Sequence, residues 1–319
     1  MESNAAKKPK AGMRAWASLR MFAVALACLG AGIAQAVEAD ENSAAALRAK
    51  YGVLRDQLSH NQFQRPLHLD SSEATGSITG DIHALINSPF ATLGAALSSA
   101  DNWCDIMLLH LNTKYCRVST VNRRDILNVS IGKKYDQPLD DAHRVAFAYR
   151  VAAQTPAYLR VQLSADEGPL STRDYRIVLE AVPLENGRTF IRLSYSYAYG
   201  LVGRLAMRTY LRTIGGHKVG FTVVGKQSGG QPVHVGGMRG LVERNTMRYY
   251  LAIEAFLGAL SVPPQARFEK RLRDWFAAIE RYPRQLHEME LGEYLDMKRK
   301  EYLRQQAAAR AATRPAPDA

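Results

Sequence analysis

Apolar and polar residues alternate in several stretches of the middle of the chain. In "ITGDIHALI", Ile78, Ile82, Ala84 and Ile86 fall on one side of an extended backbone. This alternation predicts a strand with one buried face. It recurs in three further stretches: "HRVAFAYRVAA", "AYLRVQLSA" and "RDYRIVLEAVPLENGRTFIRLSYSYAYG". The last contains Asn-Gly, a dipeptide typical of tight hairpin turns. No helical pattern separates these three later stretches from one another, so we expect them to form an antiparallel sheet.

Helical spacing of apolar residues appears before, within and after this series of strands. "SPFATLGAAL" follows the first strand directly, with Ser88 as a candidate N-cap and Pro89 in the first turn. "LVGRLAMRTYLRTI" predicts a short amphipathic helix, after which "HKVGFTVVGK" is expected to resume the strands. The longest helix is predicted from Arg239 to Leu260, because its apolar positions fit one helical face.

The first 36 residues have the organisation of a secretory signal. A basic segment precedes the apolar run "MFAVALACLGAGIAQA", which ends in the small residues Ala34 and Ala36. We therefore expect cleavage near Ala36 and a periplasmic or secreted protein. One alternative is a membrane anchor, but a spanning helix needs about 20 apolar residues. A lipoprotein processed at Cys28 is a second alternative.

The remaining chain is expected to contain one core-bearing domain with appendages. Residues 37–66 are interpreted as an N-terminal helical extension and residues 67–262 as the main domain. Residues 263–304 are a predicted C-terminal helical extension. The low-complexity residues 305–319 are predicted to be disordered.

The charge of the exported chain narrows the choice of partners. Of 42 Lys and Arg and 30 Asp and Glu, the signal would remove five basic residues and one acidic residue, which leaves a net charge near +8. Export argues against nucleic acid as a partner. Anionic lipid headgroups or cell-wall polyanions are the expected counterparts of this charge.

The stretch "NWCDIMLLHLNTKYC" contains the two cysteines that remain after cleavage, Cys104 and Cys116. In an oxidising compartment we expect them to form a disulfide, with free structural thiols or metal or redox chemistry as alternatives. A zinc site needs about four ligands, and only Asp105 and His110 lie nearby. We therefore expect no metal and no cofactor.

The order of elements resembles the START-like, or helix-grip, superfamily. The resemblance covers roughly residues 67–260 and rests on "ITGDIHALIN", "SPFATLGAAL", "ADNW" and the helix that ends at Leu260. It implies an α+β fold in which a curved antiparallel sheet grips a long C-terminal amphipathic helix and encloses an apolar cavity. The helix near Leu201 and the extra helices after Pro264 depart from the simplest members.

Large side chains on the predicted strands and helices are the candidate ligand contacts. Three tyrosines alternate on one face of "IRLSYSYAYG", where they line a cavity or, alternatively, form ordinary core or an outward ladder. The full set of candidates is Trp103, Phe147, Tyr149, Tyr195, Tyr197, Tyr199, Tyr249, Ile253 and Phe256.

Four arginines are candidates for contact with a membrane or another anion. Arg204, Arg208 and Arg212 recur at every fourth position beside apolar residues, which is typical of a membrane-surface helix. Arg239 follows a glycine-rich turn at the start of the long helix, where backbone N–H groups favour anions. For the first three arginines, the alternative is an ordinary helix that covers the sheet with its arginines solvated. For Arg239, the alternative is a glycine-rich strand-to-helix connection with a purely structural role.

The leading functional hypothesis is binding and transport of a lipid or other hydrophobic ligand. His83 and His110 are weak acid–base candidates, each with a structural role as the alternative. The sequence contains no G-x-S-x-G, H-E-x-x-H or P-loop motif. An enzyme of the cyclase, hydrolase or isomerase type on an apolar substrate remains an alternative, as does an interaction scaffold in the envelope.

Overall fold

The computed structural model describes residues 43–213 and 218–313. Its centre is an eight-stranded sheet in the order β1-β2-β8-β7-β6-β5-β4-β3, and all neighbouring strands are antiparallel. The strands are β1 (Leu67–Ala74), β2 (Ser77–Ile86), β3 (Thr113–Val121), β4 (Arg124–Ile131), β5 (His143–Thr155), β6 (Tyr158–Glu167), β7 (Thr172–Pro183) and β8 (Thr189–Tyr199). Only the pairing of β2 with β8 joins strands distant in sequence.

Helices precede, connect and follow the strands. They are α1 (residues 43–59), α2 (Phe90–Leu97), α3 (Ala100–Leu108), α4 (Leu201–Thr213), α5 (Gly237–Gly258), α6 (Pro264–Ile279), α7 (Pro283–Leu286) and α8 (Leu291–Thr313). Across residues 43–213 and 218–313, none of the helices combines the length and apolarity needed to cross a membrane.

The long helix α5 packs against the sheet on β1, β2 and β8. The helix and the sheet approach closely at Gly80, where an added Cβ atom would lie 2.5 Å from Oγ1 of Thr246. A side chain at Gly80 would therefore force Thr246 or the helix to shift. Shifts of register in β5, at Val151, and in β7, at Arg173, interrupt the regular ladder, and such bulges bend strands. The predicted α+β helix-grip fold is confirmed.

A second layer covers the opposite face of the sheet. Helix α1 buries Leu47, Leu54 and Leu58 against Val182 and Phe190, which belong to β7 and β8. The sequence assigned residues 37–66 to a helical extension, and the described part of this segment is α1 with the loop that follows it.

Two segments differ from the sequence-based expectation. "HKVGFTVVGK" does not rejoin the main sheet. Both edges of β8, the strand that precedes it, are already paired, and β9 (Val223–Lys226) pairs with β10 (Pro232–His234) in a separate two-stranded sheet. Helix α8 continues through Thr313, whereas disorder was predicted from residue 305. Its Gln305 accepts a hydrogen bond from the Cys116 backbone N–H at 3.1 Å, and its alanines favour the helix.

Candidate functional site

A cavity of about 340 Å³ lies between the inner face of the sheet and the N-terminal half of α5. Its mouth is bordered by the connection between β4 and β5, by Leu170 in the turn before β7, and by Met207 of α4. The volume is at the lower end of the range of about 300–1,000 Å³ typical of small-molecule sites.

Four tyrosines line the cavity, and strand alternation brings three of them to one face of the sheet. Tyr195 and Tyr197 come from β8, Tyr175 from β7 and Tyr249 from α5. The rings of Tyr175 and Tyr197 stack at 5.2 Å between centroids, and those of Tyr195 and Tyr249 lie 5.4 Å apart. These contacts give the cavity a continuous aromatic wall.

Burial raises the pKa of Tyr195, Tyr197 and Tyr249 above the ordinary tyrosine value. Their hydroxyls are therefore neutral at physiological pH and can donate as well as accept hydrogen bonds. The Tyr197 hydroxyl is buried and has no hydrogen-bond partner among the residues that the structure describes. Such an unsatisfied group is costly in a folded protein.

His110 lies at the inner end of the cavity, and its ring stacks on Tyr249 at 5.2 Å between centroids. Its Nδ1 accepts a hydrogen bond from the Asn112 backbone N–H at 3.2 Å. Burial lowers the pKa of His110 well below the ordinary value, and the positive charges of Arg248 and Lys298 act in the same direction. The ring is therefore neutral, and its proton is on Nε2.

One wall of the cavity is basic. Lys134, Lys218, Arg244 and Arg248 line it, and Glu288 lies 2.7 Å from both Lys134 Nζ and Arg248 Nη2. Burial lowers the pKa of Lys134 to about 8; the charges of Arg248 and Arg244 add to this effect, and Glu288 opposes it. Burial disfavours the charged form of Glu288, but Arg248 and Lys134 outweigh it and lower the pKa of that carboxyl.

The candidate ligand contacts divide into two groups. Tyr195, Tyr197 and Tyr249 line the cavity. The remaining candidates lie elsewhere in the core or hydrogen-bond away from the cavity: Trp103, Phe147, Tyr149, Tyr199, Ile253 and Phe256. Trp103 and Tyr149, for example, both donate to the Leu97 carbonyl oxygen, at 2.8 and 3.0 Å. Ligand contact by any of the nine stays a prediction.

The arginine candidates also lie in different places. Arg204 is exposed on α4; Arg208 and Arg212 belong to the same helix, and their side chains lie outside the described part of the structure. Arg239 donates from Nε to Ser71 Oγ at 3.1 Å and is not part of the cavity lining.

Helix α4 has two contrasting sides. Met207 is buried and faces the cavity, and the helix packs against the turn Pro169–Ser171 at the mouth. Leu201, Val202 and Leu205 are 86%, 71% and 69% exposed. The helix therefore covers the edge of the cavity while it presents three large apolar side chains to solvent.

The other predicted chemistry lies away from this cavity. The Cys104–Cys116 disulfide is confirmed, and it joins α3 to β3. His83 lies on the opposite side of the sheet, under α1, where its ring stacks on Phe190 and burial lowers its pKa to about 4. In the described ranges, no three His, Cys, Asp or Glu side chains are grouped so that they could hold a metal ion.

Sequence reasoning missed Tyr175 and the four basic residues of the cavity wall. Tyr175 alternates with Ile177 and Leu179, so the strand pattern alone would have placed it on the inner face. The basic residues come from two connections and one helix, and no local pattern brings those segments together.

Comparison with known proteins gives weak similarities. No protein family and no curated protein matches the sequence. Among solved structures, norcoclaurine synthase from Thalictrum flavum is 15% identical, with 44% of this chain and 79% of that chain covered and a TM-score of 0.30. Human StAR-related lipid transfer protein 5 is 8% identical (54% and 90% covered, TM-score 0.29), and a conserved Geobacillus kaustophilus protein is 9% identical (56% and 95%, TM-score 0.33). Similarity at this level carries no information on ligand or activity.

Proposed function

We propose that this START-like, helix-grip protein binds a lipid or another hydrophobic ligand in the cavity beneath α5 and carries it in the periplasm or outside the cell. The observation that supports this proposal is the cavity itself, in which a wall of tyrosines continues into the apolar side chains of Ile131, Met207 and Leu241. Burial of apolar surface contributes roughly 25 cal/mol per Å², so such a cavity can hold a ligand without a covalent step.

The second part of the proposal is that α4 contacts an anionic membrane. A helix that lies in the membrane interface needs an apolar face beside basic residues. Leu201, Val202 and Leu205 supply exposed apolar surface, and Arg204 lies between them. Because α4 also borders the mouth of the cavity, a ligand passing between bilayer and cavity would have a short path.

Native mass spectrometry of the protein purified from its own compartment tests both binding and export. We expect a co-purifying hydrophobic molecule and a polypeptide mass that lacks residues 1–36. Leu241→Trp, which fills the cavity, should abolish the bound molecule. Leu303→Trp, on the exposed face of α8, should retain it.

The neutral fluorescent probe N-phenyl-1-naphthylamine supplies an independent measurement of the same cavity. The wild-type protein and Leu303→Trp should bind it, whereas Leu241→Trp should not. If Leu241→Trp binds the probe as well as the wild type and has the same melting temperature, the cavity is not the site. An uncleaved N-terminus in the purified protein would overturn the proposed export.

A further inference from the structure

We propose that a second pocket, on the face of the sheet covered by α1, binds the phosphate group of a small soluble phosphate ester. This pocket has a volume of about 500 Å³ and lies between the C-terminal half of α1, the segment that connects α1 to β1, and the turn between β7 and β8. It shares no lining residue with the cavity beneath α5. The proposal therefore does not depend on the function proposed above.

Three arginines reach the pocket from three different parts of the chain. Arg55 comes from α1, Arg65 from the segment before β1, and Arg188 from the turn between β7 and β8. In the parts of the chain that the structure describes, no Asp or Glu lines this pocket. Guanidinium groups are always charged in proteins and have only hydrogen-bond donors. The lining therefore favours a ligand with negatively charged acceptor oxygens.

The three arginines differ in the partners that they already have. Arg65 forms an ion pair with Glu254 of α5, and the Tyr250 hydroxyl donates to the other oxygen of that carboxylate at 2.8 Å. Its charge is therefore balanced and its position fixed. The guanidinium groups of Arg55 and Arg188 form no hydrogen bond or ion pair with any other described residue. These two groups are available to a ligand.

Carboxylates near these two arginines in sequence lie outside the pocket. Asp56 follows Arg55 on α1, and Glu185 belongs to the same turn as Arg188. Both carboxylates keep their negative charge, but both are exposed and neither forms an ion pair with a described residue. Water and salt screen exposed charges. They therefore weaken the attraction of the pocket for an anion without occupying the donors of Arg55 and Arg188.

The end of α1 is capped by a side chain that also positions Arg65. The last carbonyl oxygens of a helix carry partial negative charge and would oppose an anion. Asn61 donates from Nδ2 to the carbonyl oxygens of Gln57 and Leu58, both at 3.0 Å, and to that of Arg65 at 2.8 Å. Its Oδ1 accepts a hydrogen bond from the Phe63 backbone N–H at 2.9 Å. Asn61 thus partly compensates these carbonyl oxygens and holds the segment that carries Arg65.

The turn that carries Arg188 is held by its own hydrogen bonds. The Leu184 backbone N–H donates to the Arg188 carbonyl oxygen at 2.9 Å, and the Arg188 N–H donates to Asn186 Oδ1 at 3.3 Å. Gly187 has a φ of +72°, a conformation that favours glycine. The Arg188 side chain is therefore presented to the pocket from a defined turn.

The remaining lining suits the organic part of an ester. Tyr51, Leu58, Pro66 and Leu85 supply aromatic and aliphatic surface beside the arginines. The ring of Tyr51 packs on that of Phe190 at 5.1 Å between centroids, which fixes this wall. The volume lies within the range of about 300–1,000 Å³ typical of small-molecule sites, and a bare phosphate ion would leave much of it unfilled.

The arrangement of the donors favours phosphate over carboxylate. A planar guanidinium can pair with two oxygens of either group. A carboxylate has only two oxygens, whereas a phosphate monoester has three terminal oxygens and carries more charge. Phosphate can therefore contact the guanidinium groups of Arg55 and Arg188 at the same time.

Isothermal titration calorimetry at low ionic strength tests the proposal with phenyl phosphate, phenol and inorganic phosphate. Phenyl phosphate should bind at least about tenfold more tightly than phenol, the value expected for one charge-assisted hydrogen bond. It should also bind more tightly than inorganic phosphate, because its ring contacts the apolar lining. Arg55→Gln and, separately, Arg188→Gln should each weaken its binding about tenfold. Arg117→Gln makes the same change on exposed β3 and should leave binding unchanged.

The outcomes separate this pocket from the cavity beneath α5. Leu241→Trp, which fills that cavity, should retain the binding of phenyl phosphate; loss of binding in this variant would place the anion in the cavity instead. Equal affinity of the wild type for phenol and phenyl phosphate would overturn the proposal, and so would unchanged binding by both arginine variants. If inorganic phosphate binds as tightly as phenyl phosphate, the pocket takes a free anion and the ester is wrong.

Phosphatidylglycerol vesicles distinguish a soluble ester from a lipid headgroup. If both arginine variants lose vesicle binding while phenyl phosphate fails to bind the wild type, the pocket contacts headgroups and the soluble ligand is wrong. Melting temperatures of Arg55→Gln and Arg188→Gln should equal that of the wild type, since neither guanidinium has a partner among the described residues. A variant that fails to fold is replaced by the lysine substitution at the same position, which keeps the charge and removes the paired donors.

Discussion

The ammonium group of Lys298 lies 2.7 Å from the backbone carbonyl oxygen of His110. It also donates to the Thr113 carbonyl oxygen at 2.9 Å and pairs with Glu301 at 2.8 Å, and the same carboxylate pairs with Lys114 of β3 at 3.0 Å. The three charged side chains are at most 1% exposed. Helix α8 therefore holds the segment that brings His110 to the cavity.

The pH dependence of stability should report this buried cluster. Burial lowers the pKa of Lys298 from 10.5 to about 8, with Lys114 acting in the same direction and Glu301 opposing. Between these two pH values the unfolded chain binds more protons than the folded one, so the folded state gains stability as the pH rises. This stabilisation by the neutral form of Lys298 is fully present above pH 10.5 and is lost as the pH falls through about 8.

Urea unfolding of the wild type and of Lys298→Met at pH 8 and 9.5 measures this contribution. The wild type should gain about 1–2 kcal/mol more than the variant over this interval. Lys134, whose pKa is also about 8, titrates in both proteins. Its contribution to the pH dependence therefore cancels in the difference between the wild type and the variant. The buried tyrosines have raised pKa values, so they lower the stability of the folded state as the pH rises. They do so only above about pH 10, where tyrosines of the unfolded chain ionise. Identical pH profiles would show that Lys298 is not buried as a titrating group.

The disulfide should contribute substantially to stability. It closes a loop with a sequence separation of 12, and loops of about this size are worth roughly 3 kcal/mol in the chain-entropy account. The double variant Cys104→Ala, Cys116→Ala should lose about this free energy of unfolding. Dithiothreitol should lower the stability of the wild type by a similar amount and leave the variant unaffected. A reductant effect of equal size on both would point to another cause.

The packing of α5 on the sheet can be tested at Gly80. An added methyl group would lie 2.5 Å from Thr246 Oγ1, so Gly80→Ala should destabilise the protein by about 1–3 kcal/mol. Thr246→Ala removes the obstructing atom and should recover part of this loss in the double variant. Gly94→Ala in α2, where the same atom meets nothing within 4 Å, is the control. Additive effects at Gly80 and Thr246 would contradict the close contact.

Much of the fold could be predicted from the period of apolar residues. The alternation in β8 correctly placed Tyr195, Tyr197 and Tyr199 on one buried face, and the stretch from Arg239 to Leu260 closely matches α5. Both follow from burial of one face of a strand or helix, which is a local property of the sequence.

The cavity wall could not be predicted in the same way. Periodicity shows which side of α5 is buried but not which buried residues border unfilled space: Ile253 and Phe256 share its apolar surface with Tyr249, yet only Tyr249 lines the cavity. Lys134 lies near Arg248 because of the path that the connection between β4 and β5 takes. Such long-range placement has no local signature.

The last prediction concerns the exposed face of α4. Replacing Leu201, Val202 and Leu205 together by Ser should weaken binding to phosphatidylglycerol vesicles by more than about tenfold, because burial of large aliphatic side chains contributes about 1.5–3 kcal/mol each. Stability should change little, since all three are exposed. Cosedimentation with the vesicles measures the loss.

A matched control removes the same kind of surface elsewhere. Val223, Val224 and Val233 are exposed on β9 and β10, and their replacement by Ser should leave vesicle binding unchanged if α4 is the contact. Arg204→Gln should weaken binding chiefly at low salt, because the attraction of an exposed charge to anionic headgroups is screened. If the α4 variant binds like the wild type while the valine variant does not, β9 and β10 form the contact instead. Absence of vesicle binding by the wild type would remove the membrane from the mechanism, and the ligand would then have to enter the cavity from solution.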